Sequence, residues 1–112
     1  MSTAETTPEN AAGSTAENRT TFAVTYVYGG PADVLAARRP EHRAYLGGLV
    51  EQGRILASGP FDDDGAAGAL LVFSAADTAE VERLTDEDPL VRHGVVTERT
   101  VRPWKVVLGR VG

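Results

Sequence analysis

His42 stands three, four and seven residues ahead of Tyr45, Leu46 and Leu49, so all four share one face of any helix that carries them. An imidazole turned toward an apolar interior, with a reference pKa of about 6.5, is suited to take up and return a proton near neutral pH. The same pattern also describes a semi-buried histidine satisfied by a backbone carbonyl. Asp88 lies seven residues after Val81 and four after Leu84, and it points to the same interior if their helix persists that far. A carboxylate bonded to one imidazole nitrogen fixes the tautomer and stabilises the imidazolium, so His42 and Asp88 together would form an acid–base unit that needs no metal. Asp88-Pro89 is equally the signature of an N-cap followed by proline at the first helical position, opening a last turn at Leu90-Val91. One aspartate can fill both roles.

Further residues could complete a site. Arg39, three positions before His42, offers a planar fork of donors to an anionic substrate group, or is a solvated surface charge. Ser58-Gly59-Pro60 ends a strand and could line the same cavity, since glycine permits close backbone approach. Tyr26, Tyr28 and Trp104 are candidate pocket walls with a polar edge, or else core and interface aromatics. A Ser58–His42–Asp88 nucleophilic triad lacks the G-x-S-x-G elbow between strand and helix. Asp62-Asp63-Asp64 lacks the alternating carboxylates and distal glutamate of a calcium loop and reads as a solvated turn, and His93 before Gly94 reads as an exposed residue ending a helix. With no cysteine, no phosphate-cradling glycine loop and no dinucleotide fingerprint, neither a metal nor a cofactor is expected.

The elements that would position these residues can be read from patterning. Residues 21–28 are aromatic and β-branched and stop at Gly29-Gly30-Pro31, which predicts the first strand. A short helical turn over residues 32–38 precedes a longer helix that Pro40 begins and Gly53 ends. Residues 55–58 form a short strand, the triple aspartate a hairpin loop, and residues 68–73 a buried strand. Asp77 and Glu80 have the spacing of a capping box and open a second helix; a β-rich stretch over residues 95–108 follows, and Pro103 confines it to a sheet edge. The order β-α-β-β-α-β predicts an α+β, ferredoxin-like protomer, a four-stranded antiparallel sheet with two helices on one face. Both faces of the first strand are largely apolar while two helices cover only one, so a homodimer through the other sheet face is expected.

The chain of 112 residues is 42% hydrophobic and 24% charged, which suits one compact domain. Residues 1–20 hold no aliphatic side chain larger than alanine after Met1 and read as a disordered tail, which leaves residues 21–112 as the domain. Eleven basic against sixteen acidic residues, a net charge of −5, give no electrostatic grip on nucleic acid or an anionic membrane. The longest apolar run has eight residues, against roughly 20 for a membrane span. No basic, apolar export signal opens the chain, so a soluble cytoplasmic protein acting on a small molecule is expected.

Several short segments, in order and spacing, resemble the YCII-related (YciI-like) family of dimeric α+β barrel proteins: Arg39-Pro40-Glu41-His42 with Ala44-Tyr45-Leu46, Gly53 through Gly59-Pro60, Asp88-Pro89-Leu90-Val91 with Gly94-Val95, and Val101-Arg102-Pro103-Trp104. The resemblance spans Phe22 to Val107 and implies a protomer dimerised through its sheet, with His42 and Asp88 facing each other as a catalytic pair. Gly29-Gly30-Pro31 stands where relatives often carry an acid after the first strand. Similar folds include isomerases, cofactor-independent monooxygenases and dehalogenating lyases, and fold alone does not choose among them. The expected activity is cofactor-independent elimination, dehydration or isomerisation of a small organic molecule by a His–Asp dyad. The alternative is a non-catalytic ligand-binding or accessory dimer.

Overall fold

The computed structural model describes residues 19–111. The expected tail lies outside the described residues except for its last two positions, and Thr20 already belongs to the first strand.

The elements run β1 (Thr20–Tyr28), α1 (Ala32–Glu51), β2 (Ile55–Pro60), β3 (Gly68–Ala75), α2 (Thr78–Asp86), α3 (Pro89–Arg92) and β4 (Val96–Pro103). The four strands form one antiparallel sheet in the order β2-β3-β1-β4. This is the expected ferredoxin-like arrangement, with the two most apolar strands central and β4, which carries Pro103, at an edge. The β1–β3 register pairs Phe22 with Phe73, Val24 with Leu71 and Tyr26 with Ala69, and all six residues are buried on the face the helices cover. Gly68 sits opposite Val27, where a Cβ would overlap the Tyr26 carbonyl oxygen, so this register admits only glycine there.

The expected break before Pro40 is absent: α1 is one 20-residue helix with Pro40 inside it. Proline leaves the carbonyl four residues back without its donor. That residue, Ala36, is exposed, as is Pro40 itself, so water can satisfy the carbonyl. The helix ends in a Schellman motif. Gly53, at φ 76°, donates to Val50 O at 3.0 Å and Arg54 N donates to Leu49 O at 2.9 Å.

At α2 the side chain of Asp77 accepts from Glu80 N at 2.9 Å, as the sequence predicts. The return bond differs from a standard capping box, because Glu80 reaches Ala76 N at 2.8 Å, and its other oxygen pairs with Arg54 at 2.9 Å. Tyr45 ties α1 to α2 by donating to Leu84 O at 2.6 Å. Strand β4 is shorter than expected, and residues 104–111 are irregular.

Candidate active site

His42, Leu46 and Leu49 are the buried residues of α1, at the i, i+4, i+7 spacing of one helix face. That face carries the imidazole down onto the sheet. Of the two routes the sequence offers Asp88, persistence of α2 and an N-cap, the first fails because α2 ends at Asp86, two residues short of it. Asp88 instead turns inward as the N-cap of α3, its Oδ1 accepting from Leu90 N at 3.0 Å. The same carboxylate accepts from His42 Nδ1 at 2.8 Å to Oδ1 and 3.0 Å to Oδ2, and from the Tyr26 hydroxyl at 2.9 Å. Capping and imidazole binding are therefore one arrangement.

Asp88 is fully buried and His42 is 8% exposed. The backbone N–H of Leu90 and the tyrosine O–H both donate, and an ionised carboxylate with this much acceptor capacity takes the imidazole Nδ1–H as well. The proton on Nδ1 leaves Nε2 as the nitrogen that can exchange a proton with a ligand.

Burial first, and then the Asp88 charge, hold the Tyr26 phenol protonated well above the ordinary tyrosine range. Burial likewise raises Tyr28 and Tyr45. An acid whose folded pKa is raised contributes stability that is complete below its unfolded value, about 10 for tyrosine, and is lost as pH climbs above it. Urea unfolding between about pH 8 and pH 11 is therefore expected to show stability falling on the alkaline side, with Tyr26→Phe flattening the fall. A flat profile in the parent protein contradicts the buried Tyr26–Asp88 bond.

Between α1 and the β2 side of the sheet lies a cavity of about 350 Å³, within the range that holds small ligands. His42, Arg39, Arg43 and Val50 line it from α1, and Tyr28, Ser58, Gly59 and Pro60 from the strands. Register explains the strand contribution: Ser58 and Pro60 pair with Leu71 and Ala69, which face the helices. The structure thus brings Arg39, His42, Ser58, Gly59 and Pro60 to one cavity, with Asp88 directly behind the imidazole.

Two expected pocket walls are elsewhere. Tyr26 lies beneath the site as a partner of Asp88, and Tyr28 takes the wall position. Trp104 is at the other end of the sheet. Its neighbour Pro103 pairs with Phe22, and Trp104 N donates to Thr21 O at 2.8 Å, about 20 Å along β1 from Tyr28 at the usual strand rise. Trp104 instead lines a separate groove with Arg19 and Lys105. His93, as expected, is exposed at the end of α3.

Spacing does not single out Arg43, although it follows His42 directly and lies one turn beyond Arg39. Ser58 Oγ makes no hydrogen bond to the His42 ring among the described residues. Nor, among those residues, do three His, Asp or Glu side chains gather as metal ligands do.

The profile of the YCII-related domain matches residues 21–105. The chain belongs to the YCII-related family. Within it, the chain is 36% identical to Protein YciI of Escherichia coli O6:H1 and to Protein YciI of Shigella flexneri, in each case over 68% of this chain and 89% of the relative. Among solved structures, it is similar to 5-chloro-2-hydroxyhydroquinone dehydrochlorinase (TftG) from Burkholderia phenoliruptrix AC1100 in complex with 2,5-dihydroxybenzoquinone. That likeness has a TM-score of 0.65 and 25% identity, and covers 76% of this chain and 93% of the dehydrochlorinase. Among the described residues no helix is long and apolar enough to cross a membrane.

Proposed function

We propose that this YCII-related protein is a cofactor-independent acid–base enzyme that carries out an elimination on a small organic molecule, with His42 as the proton-transfer group. The observation that carries this reading is the His42 Nδ1–Asp88 bond at 2.8 Å directly behind a ligand-sized cavity. Nε2 takes the proton from an activated C–H or O–H of the substrate, and the released electron pair forms the new π bond. The leaving group departs with its own pair, and the imidazolium then gives up its proton to the leaving group or to water. Asp88 orients the ring and stabilises the imidazolium while it lasts. Arg39 and Ser58 hold a substrate oxygen at the cavity wall, with Gly59 and Pro60 shaping the approach.

The similar dehydrochlorinase supports elimination over the other acid–base reactions, because its name specifies loss of HCl and its complex holds a hydroxylated quinone. Incubation with 5-chloro-2-hydroxyhydroquinone, followed by chloride release, is the corresponding test. Release that depends on His42 is the expected outcome; release that is equal with and without the protein counts against dehydrochlorination of this ring.

The second part of the proposal is a homodimer through the outer face of the sheet. Ala57, Leu70 and Val72 line a shallow groove on that face with Phe61, which is 48% exposed, while Leu70 is 37% exposed. An apolar sheet face of this kind is covered in stable proteins. Light scattering at micromolar concentration is expected to give the mass of two chains, and Leu70→Glu to reduce it toward one. A single-chain mass for the parent protein contradicts this part.

A further inference from the structure

Four of the eleven cations have a carboxylate partner among the described residues, and of the others only Arg39 and Arg43 line the cavity beside His42. Arg38, Arg54, Arg92 and Arg99 each have a carboxylate partner, at 3.1, 2.9, 3.7 and 2.7 Å. Arg39 and Arg43 have none among the described residues, and both line the cavity beside His42. The lining contains no Asp or Glu. The nearest helix acid, Glu41, belongs to Arg38, and Asp88 is enclosed by its own donors.

Arg39 and Arg43 are also four residues apart on α1, the spacing at which side chains meet and like charges repel. Both act on the same phenol. Burial and Asp88 raise Tyr28, while the guanidinium groups of Arg39 and Arg43 draw it back down. Two unneutralised guanidinium groups and a hydroxyl donor therefore bound one side of the cavity. Apolar Leu46, Ala69 and Leu71 bound another. Such a wall has a deficit of one negative group, and a ligand can supply it.

We propose that Arg43 is a substrate-selecting residue that, with Arg39, clamps an anionic oxygen group, so that the cavity takes small organic anions: a carboxylate, or an ionised enol or phenol, on a compact apolar body. The proposal deepens the acid–base reading and rests on it for the use made of the anion, which is to hold an activated proton toward His42 Nε2. The planar forks suit a two-oxygen or delocalised anion and give it direction as well as charge. Negative charge that develops as the proton leaves is stabilised by the same pair.

Benzoate and benzamide share a ring and differ in charge, which makes them suitable probes of the full-length protein. Binding is read by calorimetry and by the shift of the His42 ring signals. Benzoate is expected to bind at least about tenfold more tightly than benzamide, and added salt to erode the difference. Arg43→Gln is expected to weaken benzoate several-fold and leave benzamide unchanged, while Arg43→Lys, which keeps the charge and loses the fork, recovers part of the loss. Arg43 is exposed, so these variants fold as the parent does. Equal affinity for the two probes, an unchanged benzoate affinity in Arg43→Gln, or no benzoate binding up to about 10 mM overturns the clamp. Failure of the acid–base reading is distinguishable, because it leaves the benzoate preference intact while His42→Gln retains full turnover.

Discussion

His42→Gln is expected to lower the kcat of the proposed elimination by about 10² to 10⁴, the usual contribution of a positioned acid–base group. Glutamine is the informative replacement because its amide N–H₂ can still donate to the Asp88 carboxylate, which in the parent accepts from Nδ1 at 2.8 Å. The polar network behind the cavity is thereby kept, and what is lost is the nitrogen that cycles a proton. Thermal unfolding should move by only a few degrees, and ligand affinity should change little, so the loss falls on kcat rather than on KM. A variant that retains parental kcat removes His42 from the mechanism.

The largest effect on stability is expected at Asp88. Asp88→Ala deletes a fully buried carboxylate that accepts from the Tyr26 hydroxyl, the His42 ring and the Leu90 amide together. Three donors are then left without a partner, and the cap of α3 is lost in the same step. Breaking a buried network of this kind costs about 3–5 kcal/mol. For a domain of this size that corresponds to a fall in Tm of more than about 12 °C, at about 4–8 °C per kcal/mol. Asp88→Asn keeps the volume and one acceptor oxygen but turns an N–H₂ toward groups that donate, so it is expected to fall between parent and alanine. Calorimetric unfolding of the three proteins orders them; a loss below about 1 kcal/mol in Asp88→Ala shows that the carboxylate does not hold these elements.

Much of this arrangement can be read before any coordinates. The stripe from His42 through Leu46 to Leu49 predicts an inward imidazole, and the continuous apolar runs of β1 and β3 predict the sheet centre. Pro103 predicts an edge, and Asp77 predicts a helix start. These signals are local, because each rests on side chains within one element.

The differences arise where placement depends on contacts between elements or on solvent. Proline at 40 reads as a helix start, yet an exposed position lets water replace the missing donor. Counting helical turns from Val81 places Asp88 inward for the wrong reason, since the helix stops at Asp86 and a cap turns the side chain. Tyr26 as the third partner of Asp88 depends on β1 passing under α3, a packing relation that spans 62 residues and that no periodicity encodes. The distance of Trp104 from the cavity follows from the β1–β4 register, which strand patterning alone leaves open.

The most direct test of the proposed mechanism is the ¹⁵N spectrum of the His42 ring as pH is varied, in the parent and in Asp88→Asn. A neutral ring protonated on Nδ1 is expected, with Nε2 left as the nitrogen that exchanges a proton, and a loss of this tautomer preference once Asp88 is replaced. A neutral ring that carries its proton on Nε2, or one whose tautomer preference is the same in both proteins, contradicts the mechanism.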